Sequence, residues 1–205
     1  SILRKVSARA SRSDQRAGAS RVNQGFVDRV SGQKPFGLRT FYRGHPEQRD
    51  PSDLIVLQAG GRAWASRSDV TVAEDLIGKW KVFTSKSSSE HAGQTDKDGR
   101  RRVLSLTGVL PPGTIVTETY ILIGTFDTEE EAKSCLSYAR TSLFRFLVLL
   151  RLSAQDIPRS AYGFVPDQDF TRGWTDVDLY EKYGMSEEEI NFIESMIKPL
   201  ELEGD

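Results

Sequence analysis

The sequence predicts a mixed α/β (α+β) fold: a small mixed sheet with a long central helix and C-terminal helices. Three observations carry this expectation. Short strand-like runs recur at 54–57, 80–83 and 115–124, the last with β-branched or apolar bulk. A wide apolar stripe at helical spacing runs from 128 to about 152. Ser186-Glu187-Glu188-Glu189 has the form of a capping box ahead of a last helical pattern. Strands and helices alternate irregularly and no internal repeat is visible, so neither a pure layer nor a solenoid is expected.

In chain order, Ile2, Leu3 and Val6 give weak helical spacing that fades into a polar loop over 11–20. Val22, Phe26, Val27 and Val30 form the stripe of an amphipathic helix, ended by Gly32. Pro35-Phe36-Gly37-Leu38 reads as a turn with two apolar anchors, followed by a polar stretch with Arg39, Tyr42, Arg43 and His45. Leu54-Ile55-Val56-Leu57 reads as a buried strand closed by Gly60-Gly61. A short helix is expected at 72–77, a strand at 80–83 and a long polar segment at 84–102.

Pro111-Pro112-Gly113 marks a turn, and 115–124 reads as one strand. Asp127 or Thr128 caps the long helix, with Glu130 or Glu131 three residues on. Its stripe includes Cys135, Leu136, Ala139, Leu143, Phe146, Leu147 and Leu150, and it is apolar nearly all round after Leu143. Ile157-Pro158 breaks the pattern, and 162–166 is strand-like until Pro166. A short helix begins at 175–178 and stops at Gly184, and the last helix runs through Met196 with Ile190, Phe192, Ile193, Met196 and Ile197 as its docking face.

Composition narrows the function classes. The 205 residues are 38% hydrophobic and 28% charged, enough for a core and too apolar for disorder throughout. The longest apolar run, 143–152, contains Arg145 and Arg151 and falls short of the ~18 residues of a membrane span. The single Cys135 excludes an internal disulfide and a multi-cysteine zinc site. No signal-peptide pattern opens the chain, so the reducing cytoplasm is the expected compartment. The net charge of −1 conceals a division. Residues 1–102 carry 20 Lys and Arg against 11 Asp and Glu, whereas 103–205 carry 8 against 18. A basic half points to a polyanion, and mutual neutralisation of the halves is the plain alternative.

Catalytic signals are weak. The sequence has no phosphate-binding loop, dinucleotide fingerprint or nucleophile elbow. His45 and His91 lie in polar stretches without a second ligand nearby and read as solvent or DNA contacts. Cys135 sits mid-helix on an apolar face, where a buried structural thiol is expected. Glu131-Ala132-Lys133 has a nuclease-like spacing, but it falls in a helical first turn.

Binding signals are stronger. Phosphates are met by Lys and Arg, and base edges by Arg, Lys, Asn, Gln or an aromatic. Two segments have that composition. The first supplies Lys34, Arg39, Tyr42 and Arg43. The second supplies Lys86, His91, Gln94, Lys97 and the triplet Arg100, Arg101 and Arg102. The acidic last 30 residues should face away from DNA, or face a partner.

Several longer motifs resemble one family. They are Lys34-Pro35-Phe36-Gly37-Leu38, Lys79-Trp80-Lys81-Val82, Thr117-Glu118-Thr119-Tyr120 and Gly124-Thr125-Phe126-Asp127-Thr128-Glu129-Glu130-Glu131-Ala132. Phe144-Arg145-Phe146-Leu147-Val148-Leu149-Leu150-Arg151, Phe164-Val165-Pro166-x-Gln168-Asp169-Phe170 and Trp174-Thr175-Asp176-x-Asp178-Leu179-Tyr180-x-Lys182-Tyr183-Gly184 continue it. Glu188-Glu189-Ile190-x-Phe192-Ile193-Glu194-Ser195-Met196-Ile197-Lys198-Pro199 closes it. Together they resemble the C-terminal region of N6-adenine DNA methyltransferases of bacterial restriction–modification systems, including type IIG enzymes that fuse restriction and methylation. The resemblance runs from about residue 22 to the end.

In that family the region follows the methyltransferase domain and is taken to recognise the DNA target. Its layout is similar to the target recognition domains of type I specificity subunits. The resemblance implies that 1–20 is a helix and linker from an upstream methyltransferase domain, 21–170 a DNA target recognition domain, and 171–205 a helical scaffold packed on it. It implies double-stranded DNA and the upstream methyltransferase domain as partners, with no membrane.

Neither the Asn/Asp-Pro-Pro-Tyr/Phe tetrapeptide that holds a flipped adenine nor a glycine-rich S-adenosylmethionine loop is present in this sequence. This chain is therefore expected to have no catalytic residue, metal or cofactor of its own, with S-adenosylmethionine bound in the parent enzyme's other domain. Under this reading Lys34, Arg39, Arg43, Lys86 and Arg100–Arg102 meet phosphates, and Tyr42, His91 and Gln94 reach for base edges. Two alternatives stand beside it: a protein-interaction module that docks through the acidic C-terminal helices, and an unrecognised nuclease.

Overall fold

A computed structural model describes residues 1–16, 25–87, 98–153 and 156–200, with backbone alone for 11–16. The architecture is mixed α+β, as the sequence predicts. Helix α1 spans Ile2–Arg16. Strands β1 (Leu54–Gln58) and β2 (Gly61–Ala65) form a hairpin, and β5 (Thr114–Val116) joins β1 in parallel. Strands β3 (Trp80–Ser85), β4 (Thr107–Leu110) and β6 (Tyr120–Phe126) make a second, antiparallel sheet in the order β4-β3-β6. Helices α2 (Glu129–Arg140), α3 (Ser142–Leu149), α4 (Asp176–Tyr183) and α5 (Glu187–Met196) follow.

The expected single sheet is therefore two three-stranded sheets, and the second is a wall shared by two cores. Successive strand residues point to opposite faces. Val82, Ile121 and Ile123 face a helical core with Phe26, Tyr138, Phe144, Leu179 and Ile193. Phe83, Tyr120 and Leu122 face a second core with Phe36, Leu38, Val56 and Ile115. The strand read at 115–124 is two strands in different sheets. Thr117 still donates to the Leu57 carbonyl, but Tyr120 folds back to the Thr117 carbonyl and turns the chain into the other sheet.

The long helix predicted from 128 to about 152 is interrupted at Thr141, whose ψ of 152° is extended. The Thr141 hydroxyl donates to the Tyr138 carbonyl and accepts from the Phe144 amide, so one side chain ends α2 and starts α3. Asp176 of α4 supplies the other new cap, accepting from the amides of Ser142 and Leu143 at 2.9 and 3.0 Å. The helix read over 22–30 is one 3₁₀ turn, Phe26–Arg29, between extended Gly25 and Val30. Its flanks are drawn out by Phe26 N–H to the Val165 carbonyl and Ser31 N–H to the Leu122 carbonyl. Val22 lies outside the described residues. The strand-like 162–166 and the short helix at 72–77 are 3₁₀ segments, Arg159–Phe164 and Glu74–Leu76.

Ser186 closes the capping box its spacing predicts, Thr128 rather than Asp127 caps α2 through another, and Thr175 closes a third with Asp178. Helix α1 lies against the C-terminal helices. Lys5 donates to Glu189 at 2.5 Å and to the Gly184 carbonyl at 2.9 Å, and Val6 is buried in the helical core. Among the described residues, no helix is long and apolar enough to cross a membrane.

Candidate nucleic-acid interface

The segment 34–45 is a fixed loop. Phe36 and Leu38 are buried in the second core, and the Leu38 carbonyl accepts from the Glu118 amide. Gly37 has φ +83° and sits so close to the Thr71 hydroxyl that no side chain fits. Tyr42 N–H donates to the Arg39 carbonyl at 3.0 Å, closing a β-turn with Thr40 and Phe41 at its tip. On the far side His45 and Trp64 exchange backbone hydrogen bonds.

This turn places Arg39 and Arg43 in solvent. Arg39 forms no ion pair among the described residues, and one Arg43 nitrogen donates to the carbonyls of Thr40 and Tyr42 at 2.8 Å. Tyr42, expected at base edges, instead points its hydroxyl at Asp69, 2.7 Å away. Burial and that carboxylate push the Tyr42 pKa above its ordinary value. Phe41, which the sequence reading passed over, is 76% exposed. The signal was present as a lone phenylalanine between two arginines.

Glu118 gathers the basic groups. It accepts from the Thr40 hydroxyl at 3.1 Å and stands 3.9 Å from the Lys34 ammonium. Lys86 arrives through its own amide, which donates to the Thr119 carbonyl, and its ammonium lies 3.8 Å from Asp156. Burial works against the Glu118 carboxylate, but the Thr40 hydrogen bonds and the charges of Lys34 and Lys86 outweigh it and hold its pKa below the ordinary value. The crossover between the two sheets thus gathers Lys34, Lys86 and Thr40 around Glu118, and Arg39 and Arg43 flank Thr40 on the same turn.

Arg100, Arg101 and Arg102 belong to another neighbourhood. Arg101 N–H donates to the Met196 carbonyl, and the Lys198 amide donates back to the Arg101 carbonyl. Arg145, only 1% exposed, donates to the carbonyls of Arg102 and Lys198 at 3.2 and 2.6 Å. The triplet therefore runs beside the C-terminal segment that the charge pattern had turned away from DNA. His91 and Gln94 lie outside the described residues.

Several residues of the quoted motifs, and Arg29 outside them, serve packing and internal hydrogen bonds. Gln168 donates to the hydroxyls of Tyr138 and Tyr183 and accepts from Lys182. Lys182 lies over the Trp174 ring, and Trp174 donates to the Asp169 carbonyl. Arg29 holds Asp167 through two hydrogen bonds of 2.6 and 2.8 Å while lying over the Phe126 and Phe170 rings. Lys81 is buried and donates to the carbonyls of Leu76, Ile77 and Lys79, and burial depresses its pKa to about 8.

Cys135 is buried, which pushes its thiol pKa up. Glu131 is spent in the Thr128 capping box and Asp127 pairs with Lys79. The N-terminus of α2 is thus satisfied by its own side chains. No cluster of three His, Cys, Asp or Glu with metal-binding geometry exists among the described residues. In comparisons with known proteins, no family model, curated protein or solved structure matches the chain significantly.

Proposed function

We propose that this chain binds double-stranded DNA as the target recognition region of a restriction–modification N6-adenine methyltransferase, whose catalytic domain lies elsewhere. The observation that carries the reading is the anchored turn at 39–43, which presents Arg39 and Arg43 to solvent beside Lys34 and Lys86. Arginines on a fixed turn meet phosphates and groove edges with little conformational entropy to lose. The motif resemblance supports the same reading, and on it the protein works in the cytoplasm. The interface is centred on 34–43 and Lys86. Arg100–Arg102 take a lesser part because they share an edge with 196–198.

A random-sequence duplex pool passed over the immobilised chain tests sequence recognition. Enrichment of one common sequence after repeated rounds is expected. Retention without enrichment would reduce the reading to non-specific DNA binding.

A second reading is docking on a partner protein through α4 and α5. Val177 and Phe192 favour it, being 74% and 53% exposed on those helices. Replacing both with Ser would leave DNA binding intact and weaken association with the methyltransferase domain.

A further inference from the structure

We propose that Phe41 is an aromatic wedge that enters a base step of bound duplex DNA and unstacks it. The inference rests on the DNA-binding reading above and adds deformation of the duplex to it. Among the described residues, Phe41 is the most exposed large apolar side chain. A turn tip has no structural need for phenylalanine, since Asn, Asp, Gly or Ser would serve.

The residues around Phe41 are tied down. Leu38 is buried, Thr40 is bonded to Glu118, Tyr42 to Asp69, and Arg43 to the carbonyls on either side of Phe41. Gly44 packs so closely that an added Cβ would lie 2.4 Å from the Trp64 carbonyl. The ring is thus held outward on a rigid base. Arg39 and Arg43, two residues to each side and both exposed, supply cations for the phosphates flanking the opened step. Apolar side chains inserted between base steps by basic segments unstack and kink duplexes in this way. A site prepared for an acidic protein would use the same arginines, but it would gain nothing from duplexes that are already unstacked.

That difference defines the test. Two labelled duplexes of one sequence carry 2-aminopurine beside a central TA step, one fully paired and one with a single unpaired base there. The wild-type chain is expected to raise 2-aminopurine fluorescence and to prefer the bulged duplex by about tenfold. Phe41→Ala should lose the signal and the preference while keeping its salt dependence, and Phe41→Trp should retain both. If Phe41→Ala keeps the signal and the preference, the wedge is overturned and DNA binding stands. If the wild-type chain binds neither duplex, the DNA reading falls and the wedge falls with it.

Discussion

The Tyr42 hydroxyl donates to the Asp69 carboxylate at 2.7 Å, tying the turn that carries Arg39, Phe41 and Arg43 to the 3₁₀ segment Arg67–Asp69. With its proton held on above the ordinary tyrosine pKa, this bond persists across the physiological pH range. The loop's orientation therefore depends on a side chain that the sequence assigns to contacting bases.

Tyr42→Phe removes the bond and keeps the ring. It should cost about 1 kcal/mol in denaturant unfolding. It should also weaken DNA binding without changing the salt slope, because no phosphate contact is lost. A shallower slope would mean that Tyr42 touches DNA itself.

Glu118→Gln removes the carboxylate that stands between Thr40 and Lys34. Lys34 is then free to meet a phosphate, and the local field becomes more positive. DNA affinity at low salt should rise by roughly twofold, on the order of 0.5 kcal/mol for an exposed pair. Weaker binding in an anisotropy titration would show that Glu118 positions the loop more than it neutralises it.

Much of the fold is legible in the sequence where the determinants are local. The helix starts at Thr128, 175–178 and Ser186 and the Gly184 helix stop depend on neighbouring residues alone, and the structure has them all. The break at Thr141 was hidden because Asp176, which accepts from the first amides of the new helix, lies 34 positions beyond Ser142 and 33 beyond Leu143. The division of 115–124 was hidden because both halves are apolar and only pairing separates them. In the candidate site, composition found the basic residues but not their company. Glu118 and Asp69, which set the roles of Lys34 and Tyr42, are distant in sequence and ordinary in type.

Lys81 gives a pH signature. Its pKa is about 8 in the fold against an ordinary 10.5, so the folded chain releases this proton before the unfolded chain does. Stability should therefore rise relative to Lys81→Met as pH climbs from about 8 towards 10.5, and the difference should be level below that window. Parallel unfolding midpoints for the two proteins across this range would refute the assignment.

Arg145→Met withdraws donors from the buried carbonyls of Arg102 and Lys198. A loss of about 2–4 kcal/mol is expected. Hydrogen exchange should accelerate first at the amides of Arg101 and Lys198, which join the arginine triplet to the C-terminal segment. Acceleration spread evenly over β6 and α2 would indicate general destabilisation instead.

The most direct measurement is fluorescence anisotropy with a random-sequence duplex over a salt series, comparing the wild-type chain, Arg39→Gln/Arg43→Gln and Arg100→Ala/Arg101→Ala/Arg102→Ala. Each phosphate neutralised adds about −0.9 to the log–log slope, so the double variant should be shallower by about 1.8. The triple variant should keep nearly the wild-type slope. A double variant indistinguishable from wild type, with the slope lost in the triple variant instead, would contradict an interface centred on the 39–43 turn.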